Sequence, residues 1–319
     1  MPGCSSPADT DGEYYSGIDF ANREQRTGRC FLRDDKKTLT VAMRLPPRSS
    51  VKGTGVDCPF GTSAEFYNLL TGIVPEMPRD GSLELRATER WVRRVIGEEY
   101  ETVRLWDAAA RQKYGRKFYF HPTSHIQPSV GLRTVPACLY WLVQRSELRG
   151  EPLAKLKEAR RGGGRVVEAH PRLFLYSLIE RVHRAKNGVV TTSLMNSVAS
   201  YKDKGKESHY HQRETVYNFL QSNPEWCLAG RRLNPASAPR GLLASDHTFD
   251  AWLSALTAWA AAQGETIQWD TARNTDLDLA RVEIEGHILI LDHERTGTPL
   301  RGSASEGRDD RDEPGAALR

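Results

Sequence analysis

Apolar and polar positions along the chain fall into two regimes. Up to Gly61 the apolar residues come in short runs separated by turn formers. Tyr15-Ser-Gly-Ile-Asp-Phe-Ala reads as a first strand, and Arg29–Arg33 and Thr38–Leu45 as two more. Asp34-Asp35-Lys36-Lys37, between those two, suits a hairpin turn. A fourth strand is predicted in Gly53-Thr-Gly-Val-Asp-Cys-Pro-Phe-Gly, where Val56 and Cys58 flank Asp57 and Pro59 and Gly61 act as stops.

From Ala64 the apolar spacing changes to three and four residues, in Ala64–Leu70, Leu83–Ile96, Tyr100–Lys113 and Val130–Arg145. That spacing predicts a helical insertion over about 64–150. Lys155–Arg165, basic and carrying Gly162-Gly-Gly, reads as an exposed loop. Arg165-Val-Val-Glu-Ala-His-Pro reads as a strand and Arg172–His183 as a helix. A polar segment, Lys186–Gln212, leads to a helix at Glu214–Gln221. Ala244–Gln263 carries the strongest helical pattern, with Trp252, Leu253, Leu256, Trp259 and Ala260 on one face. Val282–Leu291 reads as a closing strand. A meander followed by alternating strands and helices predicts an α/β fold, a mixed central sheet flanked by helices. The expected layout is a disordered leader over 1–14, one domain over 15–294 and a disordered tail over 295–319. The tail is polar and lacks aromatics, so it cannot offset the entropy of ordering.

Composition adds limits rather than a function. At 319 residues there is length for a full core, and 27% charged with 39% hydrophobic residues is ordinary for a soluble protein. A net charge of +4 permits an anionic partner without arguing for one. The polar, acidic first sixteen residues do not resemble a secretory signal. No apolar stretch approaches the roughly 20 residues a bilayer span needs. Five scattered cysteines with no C-x-x-C pair argue against a thiolate zinc site and fit reduced thiols in the cytoplasm.

The candidate chemistry is acidic. Asp19, Asp57 and Glu168 sit at or near strand ends, and Asp246 and Asp250 lie four apart on the strong helix. Phosphodiester hydrolysis needs an activated water and a stabilised leaving oxygen, and two Mg²⁺ or Mn²⁺ ions about 4 Å apart supply both. Such hard cations take carboxylate oxygens. The plain alternative for any single Asp is a turn former, and for Asp246 a helix-terminal residue favoured by the dipole. Asp250 borders the apolar face. Glu168, in a strand read as buried, must be paired or metal-bound. Arg86 and Glu89, one helical turn apart, either pair with each other or line the site. His121, His125 and His170 are candidate bases or structural residues. Lys202, Lys204 and Lys206 either contact phosphate or belong to a solvated loop. Trp252 and Trp259 read as core.

Several blocks resemble the DUF429 family, described as predicted RNase H-like nucleases. Gly17-Ile18-Asp19, Val56-Asp57-Cys58-Pro59-Phe60-Gly61, Arg86-Ala-Thr-Glu89-Arg90 and Val167-Glu168-Ala169-His170-Pro171 follow family order. Tyr201-Lys202 with Arg213, Asp246-His-Thr-Phe-Asp250-Ala251 and Glu285-Gly286-His287-Ile288 continue it. Glu89 stands where the family pattern has Asp, and the Lys204-Gly-Lys-Glu-Ser-His-Tyr-His stretch departs from it. The resemblance implies an RNase H-like fold with Asp19, Glu168 and Asp250 as core metal ligands, and Asp57 and Asp246 as accessory ones.

The expected function is a Mg²⁺- or Mn²⁺-dependent nuclease acting on DNA or RNA, with Asp19, Glu168, Asp250, Asp57 and Lys202 as catalytic residues. The alternative is a nucleic-acid- or protein-binding module that keeps the fold without turnover. A protein partner or a homo-oligomer stays open, and a membrane partner is not expected. An ATP-dependent phosphotransferase is the third reading; Gly53-Thr-Gly lacks the Lys-Ser/Thr that a phosphate loop would continue with.

Overall fold

A computed structural model describes residues 12–20, 27–42, 45–61, 86–114, 138, 140–144, 148, 150–202, 207–234, 240–267 and 279–293. Six strands form one mixed sheet: β1 (Glu13–Asp19), β2 (Gly28–Asp34), β3 (Thr38–Val41), β4 (Val51–Asp57), β5 (Val166–Glu168) and β6 (Arg232–Leu233). Their order is β5-β4-β1-β2-β3-β6. Only β2 runs against the others. The β2–β3 hairpin turns where the sequence predicts it. Lys36 takes a positive φ of 70° there. Asp34 and Asp35 accept the backbone N–H groups of Lys36 and Thr38, which is the usual work of Asp in a turn.

The α-helices among the described residues include α1 (Ala87–Arg94), α2 (Glu101–Tyr114), α3 (Pro152–Arg160), α4 (Pro171–Ala185), α5 (Thr192–Ser200), α6 (Glu207–Ser222), α7 (Arg240–Ala244), α8 (Asp246–Ala262) and α9 (Leu279–Glu285). Strand alternation divides the sheet into two faces. Tyr15, Gly17 and Asp19 of β1 turn to one, Ser16 and Ile18 to the other. The first face carries α8, whose residues are buried continuously from Phe249 to Ala260. A helix apolar all round needs neighbours on every side, and α4 and α7 supply those away from the sheet. Trp252 and Trp259 are fully buried, so both are core, as their helical spacing indicates. On the second face, Ile18, Val56, Cys58 and Phe60 pack against Cys138, Leu142, Leu148 and Ala159.

Glycine decides how closely α8 sits. A Cβ on Gly17 would lie 1.7 Å from the Ala251 carbonyl oxygen, and one on Gly55 would lie 2.0 Å from that of Ser254. Both are shorter than any non-bonded contact allows. The helix backbone therefore rests on the backbones of β1 and β4, with no side chain between them.

Five sequence expectations need correction. Val282–Leu291 is not a strand. Its first part completes α9, which ends at Gly286 with φ +85° and the Gly286 N–H on the Val282 carbonyl. A left-handed glycine there is a helix stop. Among the described residues, the buried stretch that follows pairs as strand through the single Thr266–Leu291 bridge. Most of Lys155–Arg165 is helix rather than loop, because Pro152 starts α3 at its first turn. The polar segment Lys186–Gln212 contains α5, capped by the Thr191 hydroxyl accepting from the Leu194 N–H. The helix expected from Glu214 starts at Glu207. The first strand begins at Glu13 rather than Tyr15. The leader over 1–11, the helix at Ala64–Leu70, His121, His125, Lys204, Lys206, most of the insertion and the tail lie outside the described residues.

Candidate metal centre

The site is built from two strand ends and one helix turn. β1 and β4 are parallel neighbours whose register pairs Gly17 with Gly55 and Asp19 with Asp57. Residues paired across parallel strands project to the same side. Asp19 and Asp57 therefore turn to the face on which α8 rests. Asp250 lies one turn into α8, next to the Ala251 carbonyl that sits over Gly17. Close seating of the helix brings the third carboxylate down to the other two. One oxygen from each of Asp19, Asp57 and Asp250 lies within 4.8 Å of the others.

Three carboxylates this close, largely out of water, repel one another. Burial raises the Asp19 pKa to about 8, and the neighbouring Asp250 adds to the rise against the pull of Lys202. Burial likewise pushes Asp57 well above its usual value; Lys202 opposes this, while Asp19 and Asp250 reinforce it. A divalent cation reverses this logic, since it stabilises each charged form. The donor set, three carboxylates with one oxygen each pointing together, fits a hard cation such as Mg²⁺ or Mn²⁺.

Cationic and hydrogen-bonding groups surround the trio. Lys202 places its Nζ 2.7 Å from Asp250 Oδ2 and 3.9 Å from Asp57 Oδ2. Burial alone would lower the Lys202 pKa, but Asp250 and Asp57 outweigh it and the net direction is upward. Tyr201 donates its hydroxyl to Asp250 Oδ1 at 2.8 Å. Arg213 holds Tyr201 in turn, donating to its carbonyl at 2.8 Å and to that of Leu243 at 2.6 Å. The Arg172 guanidinium lies 5.6 Å over the Tyr201 ring. His247 places Nδ1 2.5 Å from Asp19 Oδ2. In the sequence His247 stands out only as a position inside the Asp246–Asp250 block. The available signal was its place three residues before Asp250, on the same helix face.

Glu168 stands apart from the trio. On β5 it pairs with Val56, not with Asp57. Val56 points to the second face, so Glu168 does too. There the Arg86 guanidinium grips both carboxylate oxygens, at 2.9 and 2.5 Å, and the Phe60 N–H donates to Oε2 at 2.9 Å. Arg86 also donates to Glu89 at 3.0 Å and to the Glu285 carbonyl at 2.6 Å. A Cβ on Gly286 would meet Glu168 Oε2 at 2.6 Å. Of the two ways to bury an ionised Glu, pairing or metal, this is pairing. The Arg86–Glu89 contact expected from spacing is present, extended by Glu168.

The other candidates separate clearly. Asp246 is the first residue of α8; it acts on Asp19 through its charge and supplies no oxygen to the trio. His170 caps α4, its Nδ1 accepting from the Leu173 N–H at 3.2 Å. Burial, then Lys202 and Arg172, keep its pKa well below the usual value, so it is neutral.

A family model for DUF429, described as a protein of unknown function, matches residues 17–273. The chain has no match among curated proteins and none among solved structures.

Proposed function

The chain belongs to the DUF429 family, and from its carboxylate trio we propose that it is a metal-dependent nuclease of RNase H-like fold, hydrolysing phosphodiester bonds of DNA or RNA. The observation that carries this is the convergence of Asp19, Asp57 and Asp250 within 4.8 Å at the ends of two parallel strands and under one helix. The strand order β5-β4-β1-β2-β3, with β2 alone reversed, supports the RNase H-like assignment. Asp19, Asp57 and Asp250 would hold Mg²⁺ or Mn²⁺, with Asp246 adding charge. The bound ion would supply an activated water and offset negative charge on the phosphate oxygens. Tyr201 and His247 fix the rotamers of Asp250 and Asp19, so the carboxylates are oriented before substrate arrives. Lys202 sets a positive charge beside them, where an incoming phosphate needs one. Strand ends and a buried helix hold their carboxylates more rigidly than loops do.

The test is cleavage of single-stranded, duplex and hybrid oligonucleotides with Mg²⁺ or Mn²⁺ by the wild type, Asp57→Asn and Asp250→Asn. Loss in both variants, with folding intact, is expected. Cleavage that survives both sinks the mechanism.

One observation favours a second reading, a module that binds nucleic acid or protein without turnover. Lys202 already contacts Asp250, and His247 contacts Asp19, so the trio is partly partnered by the chain's own side chains. Titration with Mn²⁺ in the presence of an oligonucleotide separates the readings, since a module of this kind would bind nucleic acid but no metal at millimolar concentration. Among the described residues no helix is long and apolar enough to cross a membrane. The four described cysteines form no disulfide among the described residues, which is compatible with an activity in the cytoplasm.

A further inference from the structure

β5 and β4 run parallel, and Glu168 of β5 pairs with Val56, one residue before Asp57. The chain therefore leaves β5 at the sheet edge where the carboxylate trio lies, and it turns at once into α4, which begins at Pro171. Arg172, the second residue of α4, comes out beside the trio. Its guanidinium lies 5.6 Å over the Tyr201 ring, and Tyr201 donates its hydroxyl to Asp250 at 2.8 Å. Lys202 Nζ lies 5.9 Å from the centre of the same ring. His170 is close to both cations: after burial, Lys202 and then Arg172 hold its pKa down. Arg172 and His170 are each partly exposed, so the corner they form is open to a ligand.

The two cations differ in what faces them. Lys202 is met by Asp250 and Asp57. Among the described residues Arg172 has neither an ion pair nor a hydrogen bond, and its Nε is buried without a partner. Stacking on an aromatic face attracts a guanidinium but leaves its N–H groups without an acceptor. A buried N–H in that condition is uncommon, and an acceptor from outside the chain satisfies it. Three observations make that acceptor an anion. The planar fork of N–H groups matches phosphate. Arg172 stands in the first turn of a 15-residue helix, whose N-terminus adds partial positive charge. The neighbouring imidazole is a donor too: His170 Nδ1 accepts from the Leu173 N–H, so the neutral ring carries its proton on Nε2. The Tyr201 ring stands between Arg172 and Asp250, so an anion on the guanidinium is a neighbour of the one at the trio, not the same one.

We propose that Arg172 is a substrate-positioning residue, which holds the backbone phosphate next to the one at the carboxylate trio. The substrate is then a polynucleotide strand rather than an isolated phosphodiester. This rests on reading the site as one that takes nucleic acid. The test is binding of a fluorescent single-stranded oligonucleotide, followed by anisotropy over a series of salt concentrations with Ca²⁺ in place of Mg²⁺. Arg172→Met should bind at least tenfold more weakly at unchanged melting temperature. Its slope of log affinity against log salt should be shallower by about one, the signature of one lost phosphate contact. Arg172→Lys, which keeps the charge, should keep the slope. A neutral methylphosphonate, placed at one linkage at a time, should find a position that costs the wild type about tenfold and costs Arg172→Met nothing further. The proposal is overturned by absence of binding in the wild type, by full affinity or an unchanged slope in Arg172→Met, by Arg172→Lys behaving as Arg172→Met does, or by the lack of any such position. Failure of the nuclease reading is a different result: Arg172-dependent binding with no cleavage in Mg²⁺ or Mn²⁺.

Discussion

Lys202 holds its ammonium 2.7 Å from Asp250 Oδ2, on a side chain that is 29% exposed. The lysine occupies the edge of the space a metal would share, and it competes with that metal for the same oxygen. Lys202→Met is therefore expected to bind Mn²⁺ about tenfold more tightly, since roughly 1.5 kcal/mol of charge-assisted hydrogen bond no longer opposes it. Cleavage should fall at least a hundredfold in the same variant. Calorimetry and an oligonucleotide assay measure the two effects; tighter binding with undiminished cleavage would remove Lys202 from the chemistry.

Asp19 gives the metal-free protein a pH signature. Its folded-state pKa is raised from 3.8 to about 8. The folded state thus holds a proton that the unfolded chain releases near pH 4. Stability from this group is fully present below pH 4 and is lost as pH rises to about 8. Asp19→Asn should flatten that part of the melting-temperature profile in EDTA. Saturating Mg²⁺ should also oppose the decline, because the ion stabilises the charged carboxylate. A profile identical in wild type and Asp19→Asn would contradict the raised pKa.

Glycine at the seat of α8 predicts a structural failure with a functional readout. Gly17→Ala and Gly55→Ala each force a Cβ into a helix carbonyl. Overpacking of this kind costs about 1–3 kcal/mol, and more where backbone must move. Both variants should melt well below the wild type, and any folded fraction should bind Mn²⁺ more weakly because Asp250 has been lifted. Alanine tolerated at both positions would mean that the helix is not seated on the sheet.

The Arg86–Glu168 pair sets Glu168 apart from the carboxylates proposed to hold metal. Removing Arg86 strands a buried charge, at a cost of about 3–5 kcal/mol. Arg86→Met should be severely destabilised in chemical denaturation, and Arg86→Met with Glu168→Met should recover part of the loss. Glu168→Gln should retain Mn²⁺ affinity if it folds, whereas Asp57→Asn should lose it. Retained affinity in Asp57→Asn and loss in a folded Glu168→Gln would restore Glu168 to the metal set.

The elements themselves were largely legible. Turn formers fixed the β2–β3 hairpin, and continuous helical spacing located α8 to within two residues at its start. Local signals also existed where reading failed: Pro152 at the start of α3, Thr191 before α5 and Gly286 after α9 are all start or stop residues. There the polarity of a segment, or a short apolar run, outweighed a single capping residue. The identities of the acidic candidates were legible too, since Asp19, Asp57 and Asp250 were all among them. Which three converge was not. Glu168 and Asp57 both end buried strands, and nothing local distinguishes them. Pairing does, because parallel register sets Asp57 beside Asp19 and Glu168 beside Val56, and a one-residue offset sends a side chain to the opposite face. His247 and Tyr201 joined the site through contacts 228 and 49 residues away in sequence. The sequence by itself determined the elements and the supply of carboxylates. Tertiary structure alone decided their company, because strand register and the approach of α8 are relations between distant segments, which no local pattern contains.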